Sequence, residues 1–315
     1  MPGFFSRSFT GESDIPLLHD FARQALAARS PGLSYWHPGD VTWQLFGGAL
    51  YDASKVIHLW LDADGVAGLA WLEPPLNATI DVRPGMPDGA PLLHEVLAWC
   101  EEQRRLFRRP SAGETPVAYS MLPADGLTTV ALESDPLRLE VLAQRGYERA
   151  ERFEYRFQLG LDSAVAAPAL PPGAVLRHVT EPDIAERVDL HRDAWSVWGE
   201  SSVTAKSYRS LRKAPGYDPE LDIVLELEGR LVSYCICWAD RATGTGVFEP
   251  VGTRPSHTGR GFARAVTFEG LRRLRERGMV TALVGTASVN ERAATVYQSC
   301  GFELVERAWC WSKVL

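Results

Sequence analysis

The sequence predicts an α/β fold with a mixed sheet, laid down twice in one chain. Three observations lead there. At 315 residues the chain exceeds the usual single-domain length. Its second half alternates strand-like and helix-like periods in an order that mixes hairpins with β-α-β crossovers. Its two halves also end alike. Gly146–Phe157 reads GYERAERFEYRF, and Gly301–Ser312 reads GFELVERAWCWS. Each places an aromatic and a glutamate after a glycine, then a strand-like alternation around a Glu-Arg pair. Upstream, DVRP (Asp81–Pro84) echoes GTRP (Gly252–Pro255). Two diverged copies of one fold account for these echoes, with extra residues in the first copy around Arg108–Pro116 and Pro123–Thr128.

The elements of the second half follow in order. Leu176–Val179 is a short strand. Thr180 caps a helix over Asp183–Trp195, and Asp183, three residues on, closes a capping box. Ala205–Arg212 is a second helix. Asp222–Glu228 and Leu231–Ala239 form a hairpin turned at Glu228-Gly229-Arg230. Val247–Thr253 is a strand, Gly261–Arg277 an amphipathic helix and Thr281–Thr286 a strand. Glu291–Ser299 is a helix stopped by Gly301, and Glu306–Trp311 is the final strand. Between the halves, LDSAVAAPALPPG has no helical or strand period and reads as a semi-extended linker. The boundaries are therefore residues 1–160 for one domain, 161–173 for the linker and 174–315 for the other.

Hydrophobic residues at 45% and charged residues at 23% let each half bury its own core. A formal net charge of −7, with no basic run longer than the Arg104-Arg105 and Arg108-Arg109 doublets, disfavours nucleic acid as a partner. Cys100, Cys235, Cys237, Cys300 and Cys310 lack metal-ligand spacing, so buried reduced thiols and no metal site are expected. Met1–Thr10 has no signal-peptide pattern, and no run approaches the ~20 apolar residues of a membrane span. A soluble cytoplasmic protein, monomer or homodimer, is expected.

The chemistry concentrates in two windows. In VGTRPSHTGRGFARAV (Val251–Val266), a strand ends at Thr253 and Gly259-Arg260-Gly261 leads into a helix. Glycines let backbone approach a ligand, and the unpaired N–H groups of a helix's first turn suit a pyrophosphate. Neither a Walker loop nor a G-x-G-x-x-G fingerprint fits, since Arg264 stands at the third glycine position. The second window, Asn290 to Phe302, runs through one short helix to Gly301-Phe302.

Together, in this order and separation, the windows resemble the GCN5-related N-acetyltransferase (GNAT) superfamily over Val175 to about Leu315. The resemblance implies two tandem acyl-CoA N-acyltransferase domains with acetyl-coenzyme A as co-substrate. It implies that Val251 and Thr253, on either side of Gly252, pair backbone groups with the pantetheine arm. Thr258, Gly259, Arg260, Gly261, Phe262 and Ala263 fill the family's pyrophosphate loop. Thr258 departs from the usual Arg or Gln, a contact that His257 or Arg260 could take over. Asn290 and Ala293 match the family's cofactor-binding helix. Tyr297 matches the tyrosine that protonates the departing thiolate, where geometry must offset a reference pKa of ~10. The bland alternative is an aromatic packed on the sheet.

Glu249 is the candidate general base. By period two it shares a face with Val251 and Thr253, in an apolar strand where burial raises a carboxylate's pKa. The alternative is a strand-end glutamate paired with Arg254 or Arg264. His191, Trp195, Trp198, Glu200 and Tyr208 fall where similar proteins line the acceptor pocket, with core packing favoured for Trp195. Trp36-His37-Pro38 falls in a comparable loop of the first half. That half lacks the site: Pro84–Leu93 (PGMPDGAPLL) has no Gly-Arg-Gly run, Pro87 and Pro91 donate no N–H, Leu142 stands at the tyrosine position and Asp135 at the asparagine position. The reading is an N-acetyltransferase acting on a primary amine of a small molecule by direct attack. A non-catalytic coenzyme A sensor and a peptide N-acetyltransferase are the alternatives.

Overall fold

A computed structural model describes residues 3–29, 34–48, 52–73, 77–106, 126–162 and 170–315. The first half comprises β1 (Phe5–Ser8), α1 (Ile15–Ala28), α2 (Pro38–Phe46), α3 (Ala53–Val56), β2 (Ile57–Asp62), β3 (Gly65–Glu73), β4 (Asn77–Val82), α4 (Gly89–Leu106), β5 (Gly126–Leu132), α5 (Pro136–Gln144) and β6 (Glu148–Gly160). The second comprises β7 (Ala174–His178), α6 (Ile184–Trp195), α7 (Ala205–Leu211), β8 (Asp222–Leu227), β9 (Arg230–Asp240), β10 (Thr245–Thr253), α8 (Phe262–Glu276), β11 (Thr281–Ala287), α9 (Glu291–Ser299) and β12 (Glu303–Val314). Apart from α3 the two orders coincide. Every element expected in the second half is present, its ends displaced by a few residues at most. The middle of the expected linker, 163–169, and most of the expected insertion, 107–125, lie outside the described residues.

Local chemistry accounts for the boundaries. Asp183 accepts from both the amide and the hydroxyl of Thr180, which fixes the entry to α6. The hairpin between β8 and β9 turns at Glu228 (φ 51°) and Gly229 (φ 80°), where two successive positive φ values match the strand twist. α9 stops at Gly301 (φ 96°), and the Phe302 amide reaches back to the Tyr297 carbonyl at 3.1 Å.

The described strands form one twelve-stranded sheet, in the order β1-β2-β3-β4-β5-β12-β6-β11-β10-β9-β8-β7. The terminal strands are exchanged. β12, from the second half, pairs antiparallel with β5 from Ala308↔Leu132 to Val314↔Gly126. β6, from the first half, pairs antiparallel with β11 from Thr281↔Gly160 to Ala287↔Glu154. The two exchanged strands also pair with each other. The sheet thus crosses the boundary drawn at residues 161–173, and no edge is left open in its middle.

In β9 the side chains alternate: Cys235 and Cys237 face α8 and α9, while Tyr234 and Trp238 face α6 and α7. Cys100, Cys235, Cys237 and Cys300 are buried free thiols, and Cys310 is half-buried. The halves also meet at α2. A Cβ on Gly39 would lie 2.2 Å from Trp238 Cβ, Thr42 Oγ1 donates to the Pro215 carbonyl at 3.1 Å, and Arg23 meets Asp240 at 2.9 Å. Among the described residues no helix is long and apolar enough to cross a membrane. No cluster of three or more metal-ligating side chains is present among them either.

Candidate active site

The site begins where two parallel strands part. β10 pairs with β11 only at Thr245↔Thr281, Gly246↔Ala282 and Val247↔Leu283. Beyond Val247 the strands diverge, and β11 continues against β6 alone. On its other edge β10 stays paired with β9 through Thr253↔Ser233. The Arg254 amide donates to the Val232 carbonyl at 2.9 Å, so Gly252 and Tyr234 form the preceding hydrogen-bonded pair. Val251 and Thr253 therefore turn their amide and carbonyl groups into the gap. An extended chain can add there as a strand. Gly252 has its own reason to be glycine, since a Cβ would fall 2.5 Å from the Tyr234 ring.

At the end of the gap the loop runs into α8. Gly259 (φ 75°) and Gly261 (φ 81°) are left-handed, and a Cβ on either would meet nothing within 4 Å. Backbone conformation, not crowding, selects glycine at both. No side chain caps the helix, and its first-turn amides, at Phe262, Ala263 and Arg264, remain free for an anion. Thr258 Oγ1 donates to the Pro255 carbonyl at 3.0 Å, and His257 Nδ1 lies 2.9 Å from Ser256 Oγ. Both side chains are engaged locally, whereas Arg260 is exposed at the loop with its guanidinium 5.1 Å from the Phe262 ring centre.

Asn290 caps α9 by accepting from the Ala293 amide at 3.2 Å. The helix presents Tyr297, 6% exposed, between Phe157 and Phe302. The phenol makes no hydrogen bond to a described residue. Burial, then the negative charge of Glu249, pushes its pKa well above that of a free tyrosine. Glu249 is half-buried, and its carboxylate is likewise without a hydrogen-bond partner among the described residues. Burial, with help from Asp40 and Glu154 and against Arg156, raises its pKa to about 8.

Two details of the expected base change. The register of β10 against β9 jumps between Phe248 and Val251, placing one extra residue in β10. This bulge breaks the period-two alternation by which Glu249 would share a face with Val251 and Thr253. The expected ion-pair alternative is also absent. Arg254 binds Asp189 and Asp193 at 2.8 and 3.0 Å, and Arg264 donates to the Ser299 carbonyl at 3.4 Å. The Glu249 carbonyl accepts from Trp238 Nε1 at 2.6 Å, which ties the bulge to the sheet.

The other acceptor-pocket candidates separate. His191 is buried, with Nδ1 2.6 Å from the Tyr234 hydroxyl, and Trp195 Nε1 donates to the same oxygen at 2.9 Å. Burial lowers the His191 pKa to about 3, so the ring is neutral. Tyr208 belongs to the core: it is 1% exposed and bonds Asp222, away from any loop surface. Glu200 is exposed and reaches Arg192 at 3.3 Å, and Trp198 is half-buried. Trp36 stacks on Trp71, and His37 caps α2 by accepting from the Gly39 amide. The sequence reading overlooked Asp40, Glu154, Arg156 and Tyr234. Only Tyr234, in the apolar and almost continuously buried strand β9, carried a local signal; the others reach Glu249 through the strand exchange and the docking of α2.

The fold is shared with solved GNAT proteins. Residues 187–302 match the pattern of the Acetyltransferase (GNAT) family. The mycothiol acetyltransferase of Thermobispora bispora is 28% identical over 257 residues, covering 78% of this chain and 79% of the relative. That of Streptomyces avermitilis is 30% identical over 145 residues, 45% of this chain and 46% of the relative. Among solved structures, a GCN5-related N-acetyltransferase from Sphaerobacter thermophilus aligns with TM-score 0.65 and 20% identity over 98% of this chain and 95% of that one. A tandem GNAT protein from the clavulanic acid biosynthesis pathway aligns with TM-score 0.63 and 16% identity over 99% and 98%. Residues 187–302 thus carry a GNAT domain. The chain is an acetyltransferase enzyme whose full length shares the fold of a tandem GNAT protein.

Proposed function

We propose that the protein transfers an acetyl group from acetyl-coenzyme A to a primary amine of a small molecule. One observation carries this reading. A tyrosine and a glutamate, whose side chains have no hydrogen-bond partner among the described residues, flank the gap between β10 and β11 whose far end is an uncapped helix N-terminus. The pyrophosphate lies on the amides of Gly259–Ala263. The pantetheine arm pairs with Val251 and Thr253, and Asn290 and Ala293 border it. The amine surrenders its proton to Glu249, attacks the thioester carbonyl and displaces the thiolate, which takes the proton of Tyr297. Burial keeps the phenol protonated at neutral pH, so its proton is available when thiolate charge develops. No cysteine or serine is needed as a covalent carrier.

The domains divide at residues 161–173. The first half binds no coenzyme A and helps to shape the acceptor cleft. A mycothiol-type acceptor is a second reading, favoured by the name that the aligned relatives carry. Thiol release from acetyl-coenzyme A with an amine panel tests the activity. Glu249 predicts that kcat/KM climbs with pH and levels above about 8. A protein with no measurable affinity for coenzyme A or its acyl derivatives removes the reading altogether.

A further inference from the structure

We propose that the first half supplies the acceptor end of this site, and that the site takes a small molecule with a second ammonium group beside the amine to be acetylated. The inference rests on Glu249 being the base of the transfer. Three carboxylates meet there from three elements: Glu249 on β10, Asp40 on α2 and Glu154 on β6. The positive charge among them is Arg156, already paired with Glu154 at 2.8 Å.

Position is set by backbone, independently of charge. In β6, Phe157 packs into the core under α8 and α9, so Glu154, Arg156 and Gln158 face the other side. Arg156 sits opposite Gly285 of β11, beyond the last residue at which β11 pairs with β10. A Cβ on Gly285 would lie 3.5 Å from Arg156 Nη1, which puts the guanidinium beside the gap. α2 brings Asp40 there because Gly39 sits flush on Trp238, the residue that holds the Glu249 carbonyl.

Polar groups awaiting a partner lie around the gap on both faces of the sheet. The Tyr297 side chain is 6% exposed, has no hydrogen bond to a described residue and feels the Glu249 charge. Arg156 Nε and Gln158 Oε1 are buried without partners among the described residues. Such orphaned groups are costly unless a ligand or water satisfies them. Burial raises Asp40 to about 6 and Glu249 to about 8, as expected of carboxylates short of counter-charge. An incoming ammonium ion supplies that charge. Glu249 then serves the reacting amine, while Asp40 and Glu154 hold the second cation.

The test compares 1,4-diaminobutane with butylamine, using the full chain and acetyl-coenzyme A. We expect kcat/KM to favour the diamine by roughly tenfold, the size of one partly buried ionic contact, chiefly through KM. Asp40→Asn and, separately, Glu154→Gln should collapse that ratio toward one. Calorimetric titration of the diamine into protein saturated with coenzyme A reads binding without turnover. Equal kcat/KM for the two amines, or a ratio unmoved in both variants, overturns the proposal. Diamine binding that weakens in Asp40→Asn without any acetylation keeps the subsite and removes the transfer reading instead. Neither binding nor turnover of the diamine defeats the subsite, whatever coenzyme A does.

Discussion

The two halves share an order of elements and differ in what fills the gap between their parting strands. In the second half β10 and β11 diverge, and the residue three positions after the α9 cap is Ala293. In the first, β4 pairs with β5 among the described residues only at Asn77↔Thr128, and the residue three positions after the α5 cap, Asp135, is Arg138. The Arg138 guanidinium donates to the Ile80 carbonyl on β4 at 2.7 Å and the Val130 carbonyl on β5 at 3.1 Å. Asp81 balances its charge at 2.9 Å, and Tyr35 covers it with the ring centre 3.4 Å away. A side chain thus bridges the gap. Where α9 has Tyr297, α5 has Leu142, fully buried in the first half's core. One copy turns polar groups toward a ligand, and the other turns them toward itself.

Experiment can sharpen or break this contrast. Arg138→Ala should cost the most. It empties a fully buried site, leaves Asp81 with Arg29 alone at 2.8 Å and strands two strand carbonyls, a loss of about 3–5 kcal/mol read by denaturant unfolding. Calorimetry should still give one coenzyme A per chain in the wild type, and a second site there would erase the distinction between the halves. Tyr297→Phe should lower kcat by ~10²–10³ with little change in coenzyme A affinity, as loss of a general acid requires. Leu142→Ala should instead lower stability and spare kcat, and the opposite pattern would exchange the roles of the halves.

Glu249→Gln should lower kcat by about 10² and flatten its rise toward pH 8. Its stability effect has a definite sign. The folded pKa lies above the unfolded value, so the wild type loses stability as pH rises through the interval up to about 8. The variant escapes that loss and should melt higher at pH 9 but not at pH 4. Gly261→Ala should have the smallest effect, since it meets no atom and costs only the left-handed backbone, about 1–2 kcal/mol. Weaker coenzyme A binding of that size is expected, with Gly85→Ala in the first half leaving affinity unchanged.

Much of this protein is local and was readable as a string. Asn290 and Gly301 bound α9 because a side-chain acceptor and a left-handed glycine act within one turn. Gly259 and Gly261 mark a loop fit to hold an anion because only backbone freedom is required of them. Thr180 and Asp183 close their capping box from residues three apart. Glu249 was legible as a carboxylate in an apolar strand, but its bulge was not, since an extra residue exists only relative to the paired β9.

Tertiary structure decided the rest. β6 and β12 have strand periodicity in the sequence, yet alternation says nothing about which neighbour a strand takes, and here each is embedded beside the other half. That exchange carries Glu154 and Arg156 some hundred residues along the chain to the gap beside Gly285. Charge acts through space without regard to sequence separation, so the raised pKa of Glu249 became visible only once α2 and β6 stood around it. The sequence determined the two copies, their elements and the loop that suits a pyrophosphate; packing determined which carboxylates share a cleft.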